Sequence, residues 1–68
     1  MSEINKKIVK KVLGEERERY DRLKIDEKYW QRLVISNPKR DNQITLGRIQ
    51  SRLKAIENYI KFLEELCN

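Results

Sequence analysis

The stretch that decides the fold is LGRIQSRLKAIENYIKFLEELC, residues 46–67. Leu46, Ile49, Leu53, Ile56, Ile60, Leu63 and Cys67 recur in it at unbroken alternating intervals of three and four. That spacing puts seven apolar side chains on one stripe of an α-helix and makes the stripe a seam for packing along a second helix. The helix carrying it is expected from about 41 to 66, roughly 39 Å long at 1.5 Å per residue.

Upstream of this helix lies SNPKRD, residues 36–41, which holds the single proline of the chain. Proline disfavours helical backbone at the residue before it, so the preceding helix should stop by Ile35 or Ser36. Asn37, with Pro38 after it, or Asp41 one turn later, would cap the next helix. Before the turn, an amphipathic pattern runs from about 3 to 35. Ile4, Ile8, Val9, Val12, Leu13, Tyr20, Leu23, Trp30, Leu33 and Val34 share one side, with Lys6, Lys10, Arg17, Lys24, Lys28 and Arg32 on the other. Ser2 is a cap candidate, and Glu3/Lys7, Glu15/Arg19, Glu18/Arg22, Glu57/Lys61 and Lys61/Glu65 are helix-supporting pairs at i,i+4. The weak stretch is GEERER, residues 14–19, where the apolar stripe lapses and Gly14 costs about 1 kcal/mol against alanine.

The expected fold is therefore all-α: a single domain over 1–68, formed by an antiparallel two-helix hairpin with its turn at 36–41. The alternative is a three-helix bundle with a break near Gly14 or Asp26. Folding at the turn sets Trp30 level with Gly47, Leu23 near Leu53, Leu13 near Leu63 and Glu16 near Lys61, and it suggests that the largest side chain packs over the smallest.

A second apolar row stands beside the seam. Ala55, Tyr59, Phe62 and Leu66 follow at intervals of 4, 3 and 4, and one neighbouring helix cannot cover both rows. The first helix is similarly broad at the same end of the hairpin. A homodimer is expected, a four-helix bundle associating through Ile4, Ile8, Val12, Ala55, Tyr59, Phe62 and Leu66. Size argues the same way, because a chain of 68 residues rarely builds a core worth more than about 3 to 5 kcal/mol. With one Cys and no His, neither an internal disulfide nor a zinc site of the usual ligands can add to it.

The same composition gives chemistry little to start from. The usual neutral-pH acid and base, His, is absent, and the carboxylates are scattered along charged faces. Glu16 and Glu27 fall inside the apolar stripe, where an ion pair at the helix edge is the preferred reading over a functional acid. Cys67 ends the seam and reads as a small apolar residue rather than a nucleophile. No catalytic, cofactor-binding or metal-ligating residue is expected.

Charge offers one further candidate. The chain has 16 basic and 11 acidic residues, a formal net charge of +5, with the excess in its first three quarters. Lys24, Lys28, Arg32, Lys39, Arg40, Arg48 and Arg52 lie toward the turn end, with Tyr29 off the main stripe among them. Such a surface suits nucleic-acid phosphates or an acidic partner, and the aromatic suits base stacking. Interleaved Asp21, Asp26, Glu27 and Asp41 dilute the field. The segment INKKIVKKVL, residues 4–13, is a basic amphipathic helix that could lie on an anionic membrane, but burial within the bundle is the default and membrane contact is not expected. No apolar run approaches the roughly 18 residues of a membrane span, no signal-peptide core is seen, and a cytoplasmic location is expected. The leading functional expectation is a non-enzymatic regulatory or scaffolding protein that self-associates and binds another protein. The alternative is a small basic nucleic-acid-binding regulator that uses the turn end.

Overall fold

The computed structural model describes residues 3–67, with side chains from Asn5 onward. Ser2, the side chain of Ile4 and the Glu3/Lys7 pair lie outside the described residues. Two helices account for nearly all of it: α1 over Glu3–Ser36 and α2 over Arg40–Cys67. They pack against each other as a hairpin measuring 51 × 14 × 14 Å. The radius of gyration is 15.6 Å, against about 11 Å for a compact chain of this length, so the molecule is a rod.

The three-helix alternative is not what forms, because α1 runs unbroken through Gly14 and Asp26. The lapse in the apolar stripe is bridged by ions. Glu16 pairs with Arg19 at 3.5 Å, Glu18 with Arg22 at 3.8 Å, and Arg17 reaches across to Glu64 on α2 at 3.2 Å. The expected Glu15/Arg19 pair gives way to Glu16–Arg19. The expected Glu57/Lys61 pair forms, at 3.7 Å.

The turn is three residues long and contains no positive-φ backbone. The Asn37 N–H donates to Leu33 O at 2.7 Å and closes α1, and Ser36 Oγ donates to the same carbonyl at 3.2 Å. Pro38 lies between the helices rather than at the first position of α2. The backbone carbonyls of Asn37 and Pro38 are taken up by side chains from the first turn of α2: Asn42 Nδ2 donates to Asn37 at 2.9 Å and Gln43 Nε2 to Pro38 at 3.1 Å. The helix starts at Arg40, between the two expected starts. Asp41 lies inside its first turn, where a carboxylate opposes the positive end of the helix dipole.

The seam forms as its spacing requires. Leu53 and Leu63 are buried on α2, Leu13 is buried on α1, and Leu46, Ile49, Ile56 and Ile60 are half-buried. The expected packing of Trp30 over Gly47 does not form. Trp30 is half-buried and stands edge-on to Tyr29, whereas a methyl group placed on Gly47 would meet nothing within 4 Å. The physical reason is azimuth. Gly47 follows the seam residue Leu46 by one position, about 100° around the helix, so being level with Trp30 does not bring it to face Trp30.

Candidate functional site

The hairpin has two long sides, and they differ. On one, the Arg17–Glu64 ion pair crosses between the helices, with both side chains about half exposed. Lys24 lies on the same side, near enough to Glu57 to feel its charge, and donates to Glu27 Oε1 at 3.0 Å. That hydrogen bond first, and the Glu27 carboxylate charge after it, raise the Lys24 ammonium above its ordinary range.

On the other side no ion pair crosses between the helices among the described residues. A groove of about 490 Å³ opens there, where Arg19, Arg22 and Asp26 of α1 face Arg52 and Ala55 of α2, with Leu23 and Ile56 at its floor. Helical spacing extends both walls. On α1, Ile8, Val12 and Glu15 continue the row of Arg19, Arg22 and Asp26 at intervals of three and four; on α2, Tyr59, Phe62 and Leu66 continue the row of Ala55. Toward the turn the α2 wall carries Ile44 and Arg48 beside Gly47.

This open side contains the residues expected to self-associate. Ile8, Tyr59 and Phe62 are 57%, 44% and 53% exposed, Ala55 is exposed, and Val12 and Leu66 are half-buried. The Tyr59 and Phe62 rings stack nearly parallel, with an interplanar angle of 15° and centroids 6.5 Å apart. Two large aromatic faces are thus held together and outward on a rigid helix. Ile4 belongs to the same row by spacing, and its side chain lies outside the described residues.

The residues expected to contact nucleic acid or an acidic partner do not share one surface. Arg48 and Arg52 line the open side. Lys28 and Arg32 stand on the outer face of α1, Tyr29 continues the open-side row three residues after Asp26, and Lys39 and Arg40 are in and beside the turn; all five are exposed. Lys24 is engaged by Glu27. Among the described residues Lys28, Arg32, Lys39, Arg40, Arg48 and Arg52 form no ion pair within 4 Å.

The two carboxylates in the stripe are accounted for by ion pairs. The Glu16 and Glu27 side chains are 12% and 13% exposed, and each is met by a cation three residues away, Arg19 or Lys24. Sequence reasoning passed over Ile25, Ile35 and Ile44, which are large, apolar and exposed. The signal for Ile25 was present: with Tyr29 it makes an i,i+4 pair away from the seam. Among the described residues no cluster of three His, Cys, Asp or Glu is arranged to hold a metal ion, and no helix is long and apolar enough to cross a membrane. No known family model, curated protein or solved structure matches the chain.

Proposed function

We propose that the protein is a non-enzymatic, self-associating helical hairpin that regulates or scaffolds by binding another protein, in the cytoplasm. In this reading two hairpins form a four-helix bundle through the open side, and the charged outer faces and the turn are left for a partner. The observation that carries it is the Tyr59–Phe62 pair: two aromatic side chains, stacked and about half exposed, beside a seam that buries just three side chains among the described residues. A rod with so little buried surface is marginal alone, and covering the second row would add the apolar burial that it lacks.

Sedimentation velocity tests this directly. The protein should sediment as a dimer at micromolar concentration, and Phe62→Glu should sediment as a monomer, because a charge would be taken into the apolar contact without a partner. A stably folded monomer of the unaltered chain at that concentration refutes the reading.

A second reading has an observation of its own. Tyr29 is exposed near Lys28 and Arg32, two cations that form no ion pair among the described residues, in the way a stacking platform for single-stranded nucleic acid would be built. A mobility shift with oligonucleotides that weakens steeply with salt would move the assignment there.

A further inference from the structure

The open side is self-complementary, and its spacing shows how. On α2, Ala55, Tyr59, Phe62 and Leu66 are separated by 4, 3 and 4 residues; on α1, Val12, Glu15, Arg19 and Arg22 are separated by 3, 4 and 3. Both series read the same in either direction. A two-fold axis running across the rod therefore returns each row onto itself in reverse order. On α2 the axis falls between Tyr59 and Phe62, and on α1 between Glu15 and Arg19.

These two points lie at one level of the hairpin, so a single axis serves both helices. Leu23 shares the groove with Ala55 and Ile56, and six residues back along α1, Arg17 reaches Glu64. Position 17 of α1 thus stands beside the stretch of α2 around residues 60–64.

We propose that a second copy of this chain docks antiparallel on the open side about this axis. Glu15 of each copy faces Arg19 of the other, Tyr59 faces Phe62, Ala55 faces Leu66, and the aliphatic stem of Arg22 covers Val12. The inference rests on the self-association proposed above and adds its direction, register and charge pairing.

Charge selects a second copy in this orientation. Among the described residues Glu15 forms no ion pair, and one row carries it four residues from Arg19, the cation that the axis brings opposite and that also meets Glu16 of its own chain at 3.5 Å. The parallel arrangement, with the two-fold along the rod, would set α1 against α2; it brings Asp26 level with Arg52 but places the Glu15 carboxylate over the Phe62 stretch with no cation opposite, which opposes docking. In the antiparallel arrangement α2 of the second copy ends at the level of Ala55. Ile44, Arg48 and Arg52 then project beyond the α2 overlap at both ends.

The test is a charge exchange read by sedimentation equilibrium, with helicity monitored by circular dichroism. Glu15→Arg alone and Arg19→Glu alone should each raise the dimer Kd on the order of tenfold or more, by setting like charges opposite each other twice. The double variant should return it to within about threefold. Independently, nitroxide labels on Lys39→Cys in a Cys67→Ser background should lie about 65 Å apart across the dimer, from the rise of 1.5 Å per residue. A dimer that the exchange does not rescue, or a short label distance, overturns this geometry and leaves self-association standing. A monomer at every concentration overturns both.

Discussion

The two sides of the hairpin are built from the same two helices and end differently. One is crossed by Arg17–Glu64 and lined by the Lys24–Glu27 bond, so long polar side chains span the junction and present charge to water. The other has its cations toward the turn and the stacked Tyr59 and Phe62 toward the opposite end. Half-exposed ion pairs add little stability, with a median near 0 to 1 kcal/mol. What the first side gains from them is a junction covered by charged side chains. The second side gives up that finish and leaves exposed the apolar row on which the proposed self-association rests.

The contrast depends on the seam they share, and that is where the largest effect is expected. Leu63→Ala, at a side chain 4% exposed, should cost about 2 to 5 kcal/mol and so most of the stability of a chain this small. A urea titration followed by circular dichroism checks it. A loss below about 1 kcal/mol would mean that the seam is not the core. Next comes Gly47→Ala on the open side. A methyl there meets nothing within 4 Å, so the helix should gain about 1 kcal/mol, and the dimer Kd should hold because Gly47 lies past the proposed overlap. A weakened dimer would extend the interface toward the turn. Smallest is Arg17→Ala on the closed side, expected to cost under about 1 kcal/mol and to lose even that at high salt. A larger, salt-independent loss would make the closed side a structural element in its own right.

Much of this was legible in the chain. The alternating threes and fours ending at Cys67 specify a helix and its buried face, and Leu53 and Leu63 are buried accordingly. The row from Ala55 to Leu66 is offset from that face by its own spacing, so its exposure follows from the same rule. What escaped was whatever depends on two angles at once. Trp30 and Gly47 are level, but contact also requires that each turn toward the other. Arg17 was assigned to the charged side of α1, yet its length lets it reach back over the edge of α2 to Glu64. The continuous first helix was the leading expectation, and α1 runs unbroken through Gly14. The cationic residues were grouped by proximity along the chain, and the helices then distributed them over three faces.

Burial along the hairpin has a direction. Leu13 and Leu63 are buried far from the turn and Leu53 near mid-length, whereas Trp30, Leu33, Leu46 and Ile49, closer to the turn, are only half covered. The turn holds the helices together by covalent connection, and the tight packing acts like a clasp at the opposite end. Fastening a clasp so far along the chain adds little entropic penalty, because loop-closure cost grows only logarithmically with length. It also means that anything that loosens α1 around Leu13 or α2 around Leu63 releases the rod where it is fastened, while the same disturbance beside the turn is held by the peptide chain itself.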